Sequence, residues 1–425
     1  MIALLLVSWR LWMPQHDFPQ VPLFGFLRPV PLWIDGMLVG LLVIGLGGTL
    51  RFGARGRWRT LSLLGVLVGL AGLVALDQHR LQAWAYQAMI IATLLLTVPP
   101  RVGLPWLRVL AVSVYAYSAA GKLDYQFLHT VGQQFLGAAG DWLGIAIETW
   151  QPSTRVRAAL VFPLVEMGLG LAALFPATRR PAGWGLVGMH ATLLWLLGPW
   201  GLEHQPGVLV WNGFFVGQAL LLFVGLGAGP QEKAAGAGRI AASLPAQGAL
   251  GETASGAPAW WRWAGLPVLM VAVLVLPLTE RWGVWDHWPS WALYSPHSSR
   301  VECAVHASQS EQLPATLRPF LKAASSAGGW RVLEIDRWSL ATLGVPVYPQ
   351  ARFQIGVALA VVRQTDLGPA VRFQQRGPAD RWTGRRAIEA AGGVSELQEA
   401  AERFWLNAAP RGSWRSGVDS VEGSR

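Results

Sequence analysis

The sequence has a single cysteine, Cys303. One thiol makes no intrachain disulfide, no Cys-rich metal site and no dithiol redox couple. Charge is scarce too: Asp, Glu, Lys and Arg make up 14% of the 425 residues, about half the share of an ordinary soluble protein. Lysine is almost missing. Of the 34 basic residues only Lys122, Lys233 and Lys322 are lysine, so 34 − 3 = 31 are arginine. Where any cation will serve, this sequence writes Arg. It holds no Walker A loop, no GxSxG turn, no HExxH pair and no repeat of fixed period, which sets aside the reactions those motifs carry.

What is present is apolar. Hydrophobic residues are 52% of the chain and the mean hydropathy is +0.36, more apolar surface than one soluble core hides, so a bilayer is the natural solvent for the rest. The 24 tryptophans fit the membrane–water interface, where an indole is half in lipid and its N–H stays wet. The net charge of +10 would suggest nucleic acid in a soluble protein. Here the arginines flank apolar runs, so we read them as membrane topology and expect no nucleic-acid partner. The Ala/Gly/Arg/Trp bias fits a GC-rich bacterial genome and places the chain in an inner (plasma) membrane.

Met1 to Trp9 is apolar but short, with no basic n-region and no small-residue cleavage site. It reads poorly as a signal peptide and better as the remnant of a first helix that starts upstream. Residues 10–30 read as a Pro-rich surface segment. Apolar runs follow at about 31–50, 61–76, 86–99, 107–121, 158–175, 184–199, 209–226 and 264–279. Arg51, Arg55, Arg57 and Arg59, then Arg101 and Arg108, then Arg179 and Arg180, then Lys233, Arg239 and Arg262 fall on one side if the runs alternate, and the positive-inside rule makes that side cytoplasmic. Arg155 and Arg157 fall on the other side. The expected fold is an all-α polytopic membrane bundle of about eight transmembrane helices followed by a small α+β extracytoplasmic domain. Its parts are an N-terminal segment over 1–30, a transmembrane body over 31–227, a flexible Ala/Gly/Ser-rich linker over 228–259, a last transmembrane helix over 260–280, a soluble domain over 281–409 and a disordered tail over 410–425. In the soluble domain, alternation predicts strands at Trp330 to Ile335 and Phe353 to Val362, and residues 386–407 read as a helix broken at Gly393.

Three places could carry chemistry. In Tyr115-Ala-Tyr-Ser-Ala-Ala-Gly-Lys-Leu-Asp124 an apolar helix runs into Lys122. A lysine made neutral by burial is a usable general base, whereas pairing to Asp124 would keep it charged, and a snorkelling anchor is the plainer reading. The second is Asp77-Gln-His-Arg, with Trp84 close behind; Asp77, His79, Arg80 and Trp84 either line a pocket mouth or form a wet loop with interfacial aromatics. The third is Glu166 and His190, ionisable groups inside apolar runs that face a cavity or each other, with Trp211 and Asn212 opening the next run. In the soluble part His297, Cys303 and His306 match no metal spacing, and no metal site is expected.

These residues give the body a likeness. Phe18-Pro with Leu27-Arg-Pro-Val-Pro-Leu32, then Tyr115 with Ala120-Gly-Lys-Leu-Asp124, then Glu166, Arg179-Arg180 and His190 in that order, resemble the vitamin K-dependent carboxylase-like (HTTM) family over about residues 10–226, with DoxX/MauE-type proteins as more distant relatives. The resemblance implies that Lys122 falls on the lysine taken to deprotonate a reduced quinone; if the chain is such an enzyme, Asp124, Glu166 and His190 would set its charge and orientation. It also implies a quinol or lipid-like ligand in a cavity that Tyr115, Trp211 and Asn212 would help to line. Where the family has an outer-loop histidine this chain has Trp84, with His79 five residues earlier, and the tail does not match the family's substrate-binding portion. Two functions follow: a quinol-oxygenating or carboxylase-like membrane enzyme, or a non-catalytic scaffold that presents the outer domain to an extracytoplasmic partner. A transporter fits less well, because no repeat halves or paired broken helices are visible.

Overall fold

The computed structural model describes residues 1–53, 56–225, 260–323, 328–365 and 367–412. The linker expected at 228–259 and nearly all of the tail expected at 410–425 lie outside them. The described chain is mostly helical, with one small antiparallel sheet near its end. Two short helices, α1 (Ile2–Val7) and α2 (Trp9–Trp12), come first. Then follow α3 (Trp33–Phe52), α4 (Gly56–Leu76), α5 (Ala83–Thr97), α6 (Pro100–Lys122), the short α7 (Tyr125–His129), α8 (Val131–Leu143) and α9 (Pro152–Ala159), then α10 (Val161–Ala172), α11 (Arg179–Leu197), α12 (Pro206–Ala219) and α13 (Trp260–Val275).

Each of the eight apolar runs is thus a helix. Among the described residues, five stretches are long and apolar enough to cross a membrane by length and composition: Trp33–Phe52, Gly56–Leu76, Val102–Lys122, Pro206–Val224 and Gly265–Trp282. Helix α5 is apolar but shorter. The chain is compatible with a multi-pass membrane protein. Leu41, Val43 and Ile44 on α3, and Leu164 and Leu171 on α10, are exposed, which lipid satisfies and water would not. Trp33, Trp58 and Trp282 are exposed near helix ends, as an interfacial belt requires.

The Arg-rich turns gather at one end of the bundle. Arg59 at the start of α4 donates to the Leu95 carbonyl near the end of α5 at 2.8 Å, and Arg108 on α6 to the Leu222 carbonyl just past α12 at 2.8 Å. The C-terminal domain caps the opposite end. Its strands β1 (Arg300–His306), β2 (Leu321–Ala323), β3 (Trp330–Leu333), β4 (Val371–Arg376) and β5 (Ile388–Gly392) pair antiparallel in the order β2-β3-β1-β4-β5. Helices α14 (Ile335–Leu343), α15 (Ala351–Gln364) and α16 (Val394–Glu402) complete it, with α15 packed on β1 and α16 on β5.

Three sequence expectations fail here, the last of them in part. Phe353 to Val362 is helical, part of α15. Every residue from Ala351 to Val361 is buried, so no polar face marks the period of 3.6, and Gly356, Ala358 and Ala360 between larger residues imitate strand alternation. Residues 386–407 are not one helix, since β5 precedes α16. The Pro-rich segment lies at the surface only in part: Phe24 and Phe26 are exposed. Phe18 and Val21 are buried, and the chain from Gln20 to Leu23 bridges body and domain: Leu23 N–H donates to the Ala75 carbonyl (2.9 Å), Asn407 N–H to that of Leu23 (3.0 Å), and Arg411 N–H to that of Gln20 (2.9 Å). One hydrophobic core therefore runs from Leu11 and Trp12 through Leu70 and Leu73 into Trp338, Tyr348 and Phe353.

Candidate functional site

Helix α6 presents Tyr115, Ser118 and Lys122 at three- and four-residue spacing, hence on one face. Gly170 lets α10 close on that face, because a Cβ there would lie 2.7 Å from the Cβ of Tyr115. One turn earlier on α10 stands Glu166. The approach brings the Glu166 carboxylate to 2.6 Å from Lys122 Nζ, which also donates to Ser118 Oγ at 2.6 Å. The lysine's anion is therefore Glu166, and the pairing to Asp124 read from the sequence does not form.

A second chain of polar groups runs beside this pair. Asn212 Nδ2 donates to the Val208 carbonyl at 2.9 Å, so its Oδ1 faces His190 Nδ1, also at 2.9 Å. Nδ1 therefore carries the proton, and Nε2 is left to accept from the Tyr115 hydroxyl at 3.1 Å. The His190 ring stacks on Phe215 with centroids 4.9 Å apart, which fixes its plane. Trp211 donates Nε1–H to Gln87 Oε1 at 3.3 Å.

The ion pair and the polar chain open onto one cavity of about 830 Å³, whose wall includes Trp84, Tyr115, Lys122, Glu166, His190, Trp211 and Asn212. Volumes of roughly 300–1,000 Å³, mostly apolar with few polar groups, are usual for small-molecule sites. Val161 and Val165 on α10 line it too and are about half exposed, so the cavity reaches the apolar outer face of the bundle. Leu4 of α1, Trp288 and Leu293 of the stretch after α13, and Leu340 and Pro346 of the domain line it as well.

The other sequence-selected residues lie elsewhere. Asp77, His79 and Arg80 sit in a short turn after α4 and are fully buried between body and domain. Arg80 pairs with Asp35 and donates to the carbonyls of Leu11 and Met13, each at 3.0 Å. His79 Nε2 meets the Pro346 carbonyl at 2.9 Å, and burial lowers this ring's pKa to about 4. Burial raises the Asp77 carboxyl to about 6 against the pull of Arg80. This turn is a structural joint, and none of its three residues lines the cavity.

Asp124 belongs to a further cluster. Its Oδ1 caps α7 by accepting from Phe127 N–H at 2.8 Å, while Oδ2 meets Arg281 Nη2 and His297 Nδ1, each at 3.0 Å. Burial works against its charge, but those hydrogen bonds outweigh it and hold the carboxyl below the usual carboxylate range. His297 Nε2 faces Glu280 at 3.0 Å, and His287 Nδ1 faces the same carboxylate at 2.7 Å. The sequence reading, which expected no metal-ligating set, passed over Glu280 and His287. A carboxylate just inside the end of an apolar stretch was the signal for them. It also missed Ser118, which the spacing to Lys122 would have shown.

No family model matches the chain, and no curated protein and no solved structure matches it.

Proposed function

We propose that this chain is a multi-pass protein of a bacterial plasma membrane that binds a quinol or similarly hydroxylated, lipid-like molecule in the 830 Å³ cavity and uses Lys122 as the general base on its hydroxyl. In this reading all eight apolar helices cross the bilayer, the Arg-rich turns face the cytoplasm, and the C-terminal domain caps the extracytoplasmic end. The observation that carries it is the meeting of the Lys122–Glu166 pair and the Tyr115–His190–Asn212 chain on the wall of one largely apolar cavity that reaches the lipid-facing surface of α10. A polar spot in so apolar a surround orients an amphipathic ligand head, and isolated ionisable groups there are costly to keep without a use. The likeness of the Gly121–Asp124 segment and the order Glu166, His190 to the carboxylase-like family supports the same assignment.

The chemistry runs through the close pair. In this reading Glu166, 2.6 Å from Lys122 Nζ, takes the ammonium proton within the contact and leaves the amine free. The free amine then takes the proton of the substrate hydroxyl. The tautomer of His190 leaves the Tyr115 oxygen able to accept a further hydrogen bond from the ligand.

The test is to supply a reduced naphthoquinone and oxygen to the protein in lipid nanodiscs and to measure quinone binding and epoxide formation together. Loss of a positioned general base costs about 10²–10⁴-fold in rate, so Lys122→Ala should lose epoxide by that factor. Lys122→Arg should do the same, because a guanidinium does not deprotonate. Binding without epoxide would leave a quinone-binding scaffold. Neither binding nor epoxide from the wild-type chain would remove the proposal.

A further inference from the structure

Away from the cavity, four ring nitrogens of two histidines face four oxygen acceptors. His297 Nδ1 meets Asp124 Oδ2 at 3.0 Å, and its Nε2 meets Glu280 Oε2 at 3.0 Å. His287 Nδ1 meets Glu280 Oε1 at 2.7 Å, and its Nε2 meets the Ser295 carbonyl at 2.9 Å. His287 and His297 are buried and Glu280 nearly so. A neutral imidazole donates through one nitrogen only. With the ring protons spent outward on Asp124 and Ser295, something positive must lie between each inward nitrogen and the Glu280 carboxylate: two extra protons, or one divalent cation shared by all three groups.

The outward contacts favour the cation. A metal-bound histidine almost always donates its other ring N–H to a carboxylate or a backbone carbonyl, which fixes its tautomer and raises its basicity. His297 does this towards Asp124 and His287 towards Ser295, which leaves His287 Nδ1, His297 Nε2 and a Glu280 oxygen converging from three sides. These three donor atoms lie within 4.8 Å of one another. The rings stand at 73° with centroids 4.9 Å apart, a close approach for two imidazolium cations and an ordinary one for two ligands of one ion. Charge balance is the same either way. Asp124, Glu280 and Arg281 sum to −1, and two ring protons or one divalent ion bring the cluster to +1.

We propose that Glu280, His287 and His297 bind one first-row divalent metal ion of the zinc class, with Asp124 and the Ser295 carbonyl orienting the two imidazoles. Two imidazoles and a carboxylate are donors that Zn²⁺ accepts readily, and Co²⁺ and Fe²⁺ share the preference. The site lies where the last membrane-length stretch ends, and it ties that end to the stretch running through Trp288 and Leu293 to His297, part of which walls the cavity. It does not depend on what the cavity binds. A ring nitrogen binds a metal only when it carries no proton, so protons compete with the metal. Affinity should fall as the pH falls, by up to about 100-fold per unit where two protons are displaced.

Tag-free, full-length protein in nanodiscs is stripped with a chelator, reloaded at pH 8 with Zn²⁺ or Co²⁺, passed through gel filtration and assayed for metal by mass spectrometry. The expected result is one equivalent retained, with Co²⁺ giving ligand-field absorption of a nitrogen- and oxygen-bound ion. His287→Ala, His297→Ala and Glu280→Gln should each lose it. Asp124→Asn should weaken binding about 10–100-fold, and His306→Ala, outside the cluster, should change nothing. No retained metal in the wild-type chain at pH 8 overturns the proposal, and so does retention in a chain carrying both histidine substitutions. The wild-type measurement decides even if a variant fails to fold.

Discussion

The joint between body and domain hangs on one carboxylate. Asp35 lies in the first turn of α3 and is fully buried. Its Oδ1 pairs with Arg80 and its Oδ2 with Arg411 Nη1 at 2.8 Å, and both guanidiniums are buried as well. Arg411 also reaches Gln20 Oε1 and the Val30 carbonyl, each at 2.7 Å. The substitution Asp35→Asn keeps the shape and removes the charge, leaving two buried cations without their shared anion. Breaking a buried pair from one side costs about 3–5 kcal/mol, roughly 10²–10⁴-fold in an equilibrium. The cost falls first on the contact that closes latest in the chain, the docking of residues 407–411 against Gln20 and Leu23. Chemical unfolding in nanodiscs measures the total, and tryptic cleavage at Arg411 under native conditions reads the docking directly. Both should move together. The triple variant Asp35→Leu, Arg80→Met and Arg411→Leu should recover most of the loss, because replacing a whole buried ion network with apolar groups is often neutral. A cost below about 1 kcal/mol for Asp35→Asn would refute this account of the joint.

The neighbouring turn makes a pH prediction. His79 titrates near 4 when folded against about 6.5 unfolded, so its neutral, folded form loses stability as the pH falls through that window. Asp77 titrates near 6 when folded against about 3.9 unfolded, so it loses stability as the pH rises from about 4 to 6. The two slopes oppose each other, each worth about 3 kcal/mol at 1.36 kcal/mol per unit. Asp77→Asn should uncover the His79 slope as a steeper acid destabilisation between pH 6.5 and 4, and an unchanged profile would show that the pair does not titrate this way. Cys303 is fully buried and its thiol is pushed up to about 12, so a maleimide should not label the folded protein, while the denatured chain should take up one equivalent.

Hydropathy made the helical body legible because lipid exposure is written in composition: each of the eight apolar runs is a helix. Their roles were harder to read, since five of them meet a length and hydropathy test for crossing a membrane and α5 and α10 are short. Of the residues singled out for chemistry, Lys122, Glu166, His190, Tyr115, Trp84, Trp211 and Asn212 share the cavity wall. Ionisable groups in apolar runs have few places to go, so they meet. Asp77, His79 and Arg80 could not be assigned from sequence, because their partners lie far along the chain, at Val21, Pro346 and Asp35. The same distance hid the cluster at His297, which needs Asp124 from the end of α6 and Glu280 from the end of the last membrane-length stretch.

The segment Gly121 to Asp124 shows why a short motif should not be read as a single site. Lys122 reaches back one turn to Ser118 and faces the cavity. Asp124, past the helix end, turns away to cap α7 and to hold His297 and Arg281. Gly121 permits a third contact, since a Cβ there would lie 2.6 Å from Ser295 Oγ, and the carbonyl of that same serine receives the His287 ring. This short segment thus puts one residue on the cavity, one on His297 and one against the serine that holds His287. A change at Gly121 should disturb His287 before it disturbs Lys122, because the added carbon meets Ser295 while the lysine and its glutamate lie on the cavity side of the same helix end. Loss of activity in a Gly121 variant would therefore say little about the base, and the Lys122 and Asp124 variants have to be read separately.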